Sequence, residues 1–402
     1  MEFSGYGIHP GDRCVFVQTR FANLVRKCYR WKLPLAIATL DISRAFATVP
    51  HYAVIRALEF HNTPSELIAL MLKEIRNNFL EIKLQHGGGF AVKLGRGILE
   101  GSPLSMLLIL VVQSMLLGRM MVDPAFKEHL MILPTAPNSS QHQVDPAAWV
   151  DDFVLTASSS SSLQSQVELI SGLLGQLNMS VKHAKIHWMG MEALTAQEIF
   201  FERKVIRKAS CLSILGLSID SVGSSQHSCQ QRRAAAMAKW YSMEREFNFR
   251  KLSKDVIFKL HNMVFVPSQA YGLAALPMAT TLLQHLSSAS TSHLLRYHRR
   301  PRGLELDVWI HSVRRDLRER RLRGEVISPL NFVAADLRAM FEHCQTARGA
   351  QLKGVLEWRD RKWLNSVGRQ HRPQQRKGGD FTELQLLASE LQRYTWLRMH
   401  VA

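Results

Sequence analysis

The stretch Ala147–Ala157, AAWVDDFVLTA, sets two apolar arms around a pair of adjacent acids, Asp151 and Asp152. Trp, Val, Phe, Leu and Thr suit a pleated, buried surface, so both arms read as strand. Successive strand residues point to opposite faces, so neighbouring carboxylates diverge unless the chain turns at them. A tight hairpin at the pair is therefore expected. Two carboxylates held in such a setting repel each other and lose hydration, and that cost demands a reason.

Working outward, a second apolar run, Leu33–Leu40, ends on an acid of its own, Asp41, as a buried strand delivering a carboxylate to its end. Residues 51–60 read as helix. Thr63-Pro64-Ser65-Glu66 then forms a capping box with proline at the first helical position, opening a helix to about Asn77. Phe79–His86 alternates like a strand, and the glycines at 87–89 turn it back through Phe90–Leu94 as a hairpin. The run Leu104–Leu117, interrupted by Ser105, Gln113 and Ser114, is shorter than the roughly 20 residues that span a bilayer and reads as a buried core helix. Residues 123–146, with four prolines, read as a loop; the serines from 158 cap a helix to about 177; and 185–190, 199–206 and 211–219 read as short strands. The fold class that follows is α+β, an antiparallel sheet with helices on one face, with Asp41 and the 151–152 pair at adjacent strand ends. After about residue 225 the pattern turns helical and basic, and a last helix is expected over Phe381–Met399.

Charge narrows the partners. Fifty-one Lys and Arg against 33 Asp and Glu give a net charge of +18, which favours polyanions, nucleic acid first. Arg296, Arg299, Arg300, Arg302, Arg314 and Arg315 lie in one block with Tyr297 and Trp309 among them. That mixture suits strand-backbone contact and base stacking, and an ordinary solvated helix face gives the same pattern. A hydrophobic content of 46% excludes a disordered chain. Five scattered cysteines without C-x-x-C spacing exclude a disulfide framework and a zinc knuckle, and fit a reducing compartment. His183 and His187 stand i,i+4 with no third ligand type beside them. The polar amino terminus carries no secretory signal, so an intracellular location without a membrane partner is expected.

Three aspartates at neighbouring strand ends suit hard divalent cations. Mg²⁺ takes oxygen ligands and is held by one or two carboxylates plus substrate phosphates. A pair of such ions about 4 Å apart serves in-line phosphoryl transfer, and bound metal offsets the repulsion between the acids. LDISRAFATVPH (40–51), GILEGSPLSMLLIL (97–110) and WVDD (149–152) then occur in the order and rough spacing of motifs A, B and C of reverse transcriptases, and the series resembles the non-LTR retrotransposon and group II intron branch. VKHAKIHWM (181–189) and LSILGLSI (212–219) resemble motifs D and E. The resemblance covers about residues 5–300; as a five-motif series it is specific, whereas any one motif is weak.

It implies a right-hand polymerase architecture: a residual fingers segment and lead-in helix over 1–32, a palm over 33–222, a helical thumb over 223–300 and a basic extension over 301–402. The implied activity is RNA-directed DNA polymerase, transferring a nucleotide to a primer 3′-hydroxyl with two Mg²⁺ ions, or Mn²⁺ in their place. Its partners would be an RNA template, a DNA or RNA primer and deoxynucleoside triphosphates, with the nucleus a natural location. Asp41 and Asp151 resemble the metal-binding acids, the Ile42 carbonyl a further ligand, and Asp152 the supporting acid. Arg44, Ala45 and Phe46 fall on the nucleotide side of motif A, with Phe46 as the aromatic gate against a ribose 2′-hydroxyl. Glu100, Gly101, Ser102 and Pro103 match the motif B turn that approaches the nucleotide, and Lys185 matches a lysine proposed to protonate pyrophosphate.

The departures are specific. Ala47 stands where motif A carries a second Asp, and Glu100 replaces the Gln before the motif B glycine. Trp149 and Val150 precede the acid pair in place of Tyr or Phe and Ala, and Lys182 replaces the motif D Asn. The chain is expected to start downstream of the fingers strands, as a truncated or degenerate element. Two other readings therefore stand beside an active polymerase: a pseudo-polymerase that binds nucleic acid without chemistry, and a maturase-like RNA-binding protein.

Overall fold

Ala36–Asp41 is the middle strand of a five-stranded sheet, ordered Arg207–Lys208, His187–Gly190, Ala36–Asp41, Asp152–Ala157, Ala147–Trp149. The computed structural model describes residues 13–344, except 78, 85–86, 94, 134–141, 192–197, 277–279 and 299. The segment expected to form a helix over Phe381–Met399 lies outside the described residues. Adjacent strands run antiparallel, apart from the edge pair Arg207–Lys208 and His187–Trp188, which is parallel. The sequence dictates the centre of the sheet: Ala36, Ile37 and Ala38 are wholly buried, as the apolar run leading to Asp41 requires.

Helices Pro103–Val122, Ser160–Gln176 and His51–Phe60 supply most of the remaining core, in which Val54, Leu108, Met115, Leu155, Val167 and Trp188 are packed together. The Pro103–Val122 helix is longer than its apolar run, because Pro103 opens it and Arg119 lies in its last turn. By length and hydropathy it could cross a membrane, but 67% of its apolar window is buried within the fold. Ser159 caps the next helix as expected, its hydroxyl accepting the Ser162 N–H at 3.0 Å.

The capping box at Thr63 does not form. Asn62 adopts φ 54° and the Thr63 N–H donates to the Leu58 carbonyl at 3.0 Å, closing the preceding helix in a six-to-one bond. With Thr63 used there, Pro64 becomes the flanking residue and the next helix runs Ser65–Arg76. The expected loop over 123–146 holds short structure instead: a turn of helix at Pro124–Glu128, capped by Asp123, and a ladder between Met131–Leu133 and His142–Val144.

The chain divides into two compact units, the first comprising residues to 17 and 28–215, the second 18–27 and the residues from 216 onward. In the second unit the described residues carry helices at Ser225–Phe247, Lys254–Leu260, Val266–Ala270, Thr280–Leu295, Leu306–Leu322 and Pro329–Cys344. A π-helical stretch, His261–Phe265, joins two of them immediately before Pro267. Proline has no N–H to return to the carbonyl four residues back, so a widened turn just before it keeps the helix continuous. Trp240, wholly buried, anchors this unit; its indole N–H donates to the Tyr297 hydroxyl at 2.6 Å.

Candidate active site

The register places Asp41 directly across from Asp152, and Trp149 pairs with Asp152 on the other side. The hairpin expected at the acid pair is present as a two-residue turn, Val150–Asp151. Val150 takes φ 58°, a conformation costly for a β-branched residue, by about 1–3 kcal/mol. That strain is the local cost of turning the chain between the two acids.

Backbone bonds fix the cluster. The Ile42 N–H donates to the Asp151 carbonyl at 2.8 Å, and the Lys182 N–H donates to the Asp41 carbonyl at 3.1 Å. Ser43 is tied to Ser180 in the same way, so the segment after Asp41 is clamped between the acid hairpin and residues 180–182. The short helix His183–Lys185 then directs Lys185, whose ammonium donates to the Asp41 carboxylate. The Lys185 side chain is 51% exposed and that of Asp41 16%, so the ammonium meets a largely buried carboxylate from the solvent side.

The electrostatics are those of under-neutralised acids. Burial, then Asp151 and Asp41, push the Asp152 carboxyl up to about 6, with Lys185 acting in the opposite sense. Burial and Asp41 raise Asp151 as well, and Glu100 adds to that rise. The Asp41 partner raises Lys185, which keeps its ammonium charged. In kind, these hard oxygen donors fit a divalent cation, because uncompensated negative charge is what such an ion relieves. Among the described residues no three His, Cys, Asp or Glu side chains are gathered as a ready metal set; an ammonium, that of Lys185, is what sits on Asp41.

Motif B meets motif A through Gly97. Its N–H donates to the Val49 carbonyl at 2.9 Å, the Ile98 N–H to the Phe46 carbonyl at 2.7 Å, and its own carbonyl contacts His51 Nε2 at 2.9 Å. Gly97 has φ +82°, and a Cβ there would lie 2.6 Å from the Ala47 carbonyl oxygen. Only glycine fits. The motif A and motif B stretches end on His51 and begin at Gly97 without giving either a role, and Arg96 lies one residue outside them.

The remaining expected residues divide by unit. In the first, Arg44 is exposed at φ 49°, Ala45 is buried, and Phe46 is half-buried against the core. Glu100 and Gly101 are exposed, Gly101 at φ +91°, Ser102 flanks the helix and Pro103 starts it. In the second unit, Arg296 donates to the Tyr241 hydroxyl, and Arg300, Arg302, Arg314 and Arg315 are exposed. Arg299 lies outside the described residues. Arg320 and Arg323 in the same block are instead ion-paired, Arg320 with Asp255, Asp316 and Glu325, and Arg323 with Glu325. The strands Cys211–Ile214 and Leu217–Asp220 flank a turn in which Leu215 and Gly216 both take positive φ.

A profile of the family described as reverse transcriptase (RNA-dependent DNA polymerase) matches residues 2–219. The chain belongs to the reverse transcriptase family. This reverse transcriptase-family chain is 26% identical over 157 residues to a retrovirus-related Pol polyprotein from type-1 retrotransposable element R2 of Nasonia vitripennis. The match covers 39% of the chain and 14% of that relative, so the chain spans a small part of its length. Among solved structures, apo telomerase from Candida tropicalis is similar at 14% identity and a TM-score of 0.39, covering 87% of this chain and 56% of that one. Telomerase from Candida albicans in complex with a TWJ fragment of telomeric RNA is similar at 11% identity and a TM-score of 0.42, covering 95% and 52%.

Proposed function

We propose that the chain is the palm and thumb of a non-LTR-type retroelement reverse transcriptase, with the palm at 33–222, the thumb at 223–300 and a basic extension beyond. The observation that carries this reading is the register of Asp41 against Asp152, with Asp151 at the turn and Lys185 on Asp41. Asp41 and Asp151, with the Ile42 carbonyl and with Asp152 in support, would hold Mg²⁺ or Mn²⁺, which when bound supplies charge neutralisation at the transferring phosphate.

This chain's own residues set the rest. Asp41 must exchange its Lys185 partner before its carboxylate can serve a cation. Lys185, an ammonium that Asp41 no longer holds after that exchange, is then free to give its Nζ proton to the departing pyrophosphate oxygen. Phe46 would meet the ribose of an incoming deoxynucleotide, and Gly101, with open space beside it, would let backbone approach it. RNA template, primer and deoxynucleoside triphosphates are the partners this reading requires.

Glu100 favours a second reading, a nucleic-acid-binding remnant without chemistry. It adds negative charge beside Asp151, where a triphosphate would bring more. Primer extension on poly(rA) with Mg²⁺ or Mn²⁺ separates the two. Extension that Asp151→Asn/Asp152→Asn abolishes, with RNA affinity unchanged, is the expected result. Extension that survives the double change sinks the site assignment, and RNA binding without extension establishes the second reading.

A further inference from the structure

The first unit carries a cleft that the acid cluster does not use. It has a volume of about 480 Å³ and is lined by Arg76, Lys93 and Arg96 together with His51, Tyr52 and Asn178. These residues come from five separate segments: the end of the Ser65–Arg76 helix, the end of the hairpin formed by Phe79–Lys83 and Gly89–Lys93, the loop at 95–96, the start of the His51–Phe60 helix and the loop at 178. No carboxylate is among its lining residues, and among the described residues neither Arg76 nor Lys93 belongs to an ion pair. Three cations facing one concavity repel each other, an arrangement that an anion relieves.

Two further features suit the same ligand. The His51–Phe60 helix opens into the cleft with no side-chain cap and no acid in its first turn. Its positive end and unsatisfied N–H groups therefore add to the field of the cations. Arg96 is fixed in place, its guanidinium donating to the carbonyls of Thr48 and Asn178, so little ordering remains to be done on binding. Beside it the Tyr52 ring is 37% exposed, and its hydroxyl is held between the Gln176 carbonyl and the Asn178 amide, each at 3.2 Å. A fixed, exposed aromatic next to cations is the pairing that receives a base beside its phosphate.

We propose that this cleft is a phosphate-binding site, engaged by Arg76, Lys93, Arg96 and the amino end of the His51–Phe60 helix. Its ligand is either a phosphodiester of a nucleic-acid strand or a free phosphate. The proposal stands whether or not the acid cluster catalyses anything.

The test uses the full chain and the exposed pair Arg76→Ala/Lys93→Ala, leaving Arg96 because it also braces the backbone. Single-stranded poly(rA) binding is followed by fluorescence anisotropy through a salt series, and inorganic phosphate binding by calorimetry. A strand site predicts that the slope of log affinity against log salt falls by about 1.4, roughly 0.7 for each lost phosphate contact. A free-phosphate site predicts an unchanged slope and at least a tenfold loss of phosphate affinity. The exchange Arg76→Lys/Lys93→Arg should retain binding in either case, which separates charge from folding. A double variant that matches the parent in both measurements overturns the proposal. So does an equal slope loss in Lys127→Ala/Lys204→Ala, which removes two exposed charges of the same unit away from the cleft.

Discussion

The acid cluster of the first unit and the histidine cluster of the second both bury titratable groups, and they resolve the cost in opposite ways. In the second unit His261 and His293 lie against Trp240, with ring centroids 6.0 and 4.9 Å away, and His293 stacks on Phe265 at 4.2 Å. Burial first, with like charge nearby, lowers His261 to about 3 and His293 to about 4, so both stay neutral and act as flat aromatic packing. The aspartates have no such packing role. Asp152, at about 6, keeps most of its charge at neutral pH, crowded by Asp151 and Asp41 and only partly offset by Lys185. Buried groups that surrender their charge serve packing; buried groups that keep it against repulsion mark the place where an outside cation is wanted.

The two clusters should therefore respond to acid with opposite signs. A histidine whose folded value lies below its ordinary 6.5 takes up its proton more readily when unfolded, so its stabilising share is complete above pH 6.5 and is lost as pH falls. At pH 5 that loss is about 2 kcal/mol for each histidine, about 4 kcal/mol for the pair. Hydrogen exchange resolved along the chain should show the second unit opening first on acidification. His293→Phe, which keeps the stack on Phe265, should blunt the effect; an acid-insensitive second unit would break the contrast.

Asp152 should behave the other way and more weakly. Its folded value of about 6 exceeds the ordinary 3.8, so stability falls as pH rises through that window. Asp152→Asn should then stabilise the metal-free chain at pH 7 by about 1–2 kcal/mol, allowing for solvent screening, and change little at pH 4. Urea unfolding at the two pH values checks this. A loss of stability at pH 7 would mean that the carboxylate is already compensated.

The smallest effect probes a neutral element of the same unit. Ser159→Ala should cost about 1 kcal/mol at either pH, since its hydroxyl caps the Ser160–Gln176 helix without carrying charge. A pH-dependent cost there would show that unfolding of the first unit reports more than the acids.

The sequence made one cluster legible and hid the other for a physical reason. Asp41 ends an apolar run and the 151–152 pair sits in a hairpin signature, so local pattern marks each of them, and the strand register then sets Asp41 across from Asp152. Lys185 was legible as a residue by its motif spacing, but its bond to Asp41 depends on the turn at His183–Lys185. The capping box at Thr63 failed because a bond to Leu58, set by the preceding helix, took its backbone first. Trp240, His261 and His293 come from three helices, and nothing in their local spacing distinguishes a stacked histidine from a solvated one. The cations of the cleft are scattered across residues 76–96 for the same reason: only tertiary structure gathers them.

The π-helical stretch at His261–Phe265 has a consequence for how this chain tolerates length changes. Such a stretch is an ordinary helix with one residue to spare, and each residue of an α-helix advances the side chains by about 100°. Deleting a single residue there would close the widened turn to an ordinary one and leave the helix after it facing as before, whereas a deletion in the regular helices on either side would turn everything beyond it by that angle. In this part of the molecule the phase of a helix, more than its composition, decides which side chains become core.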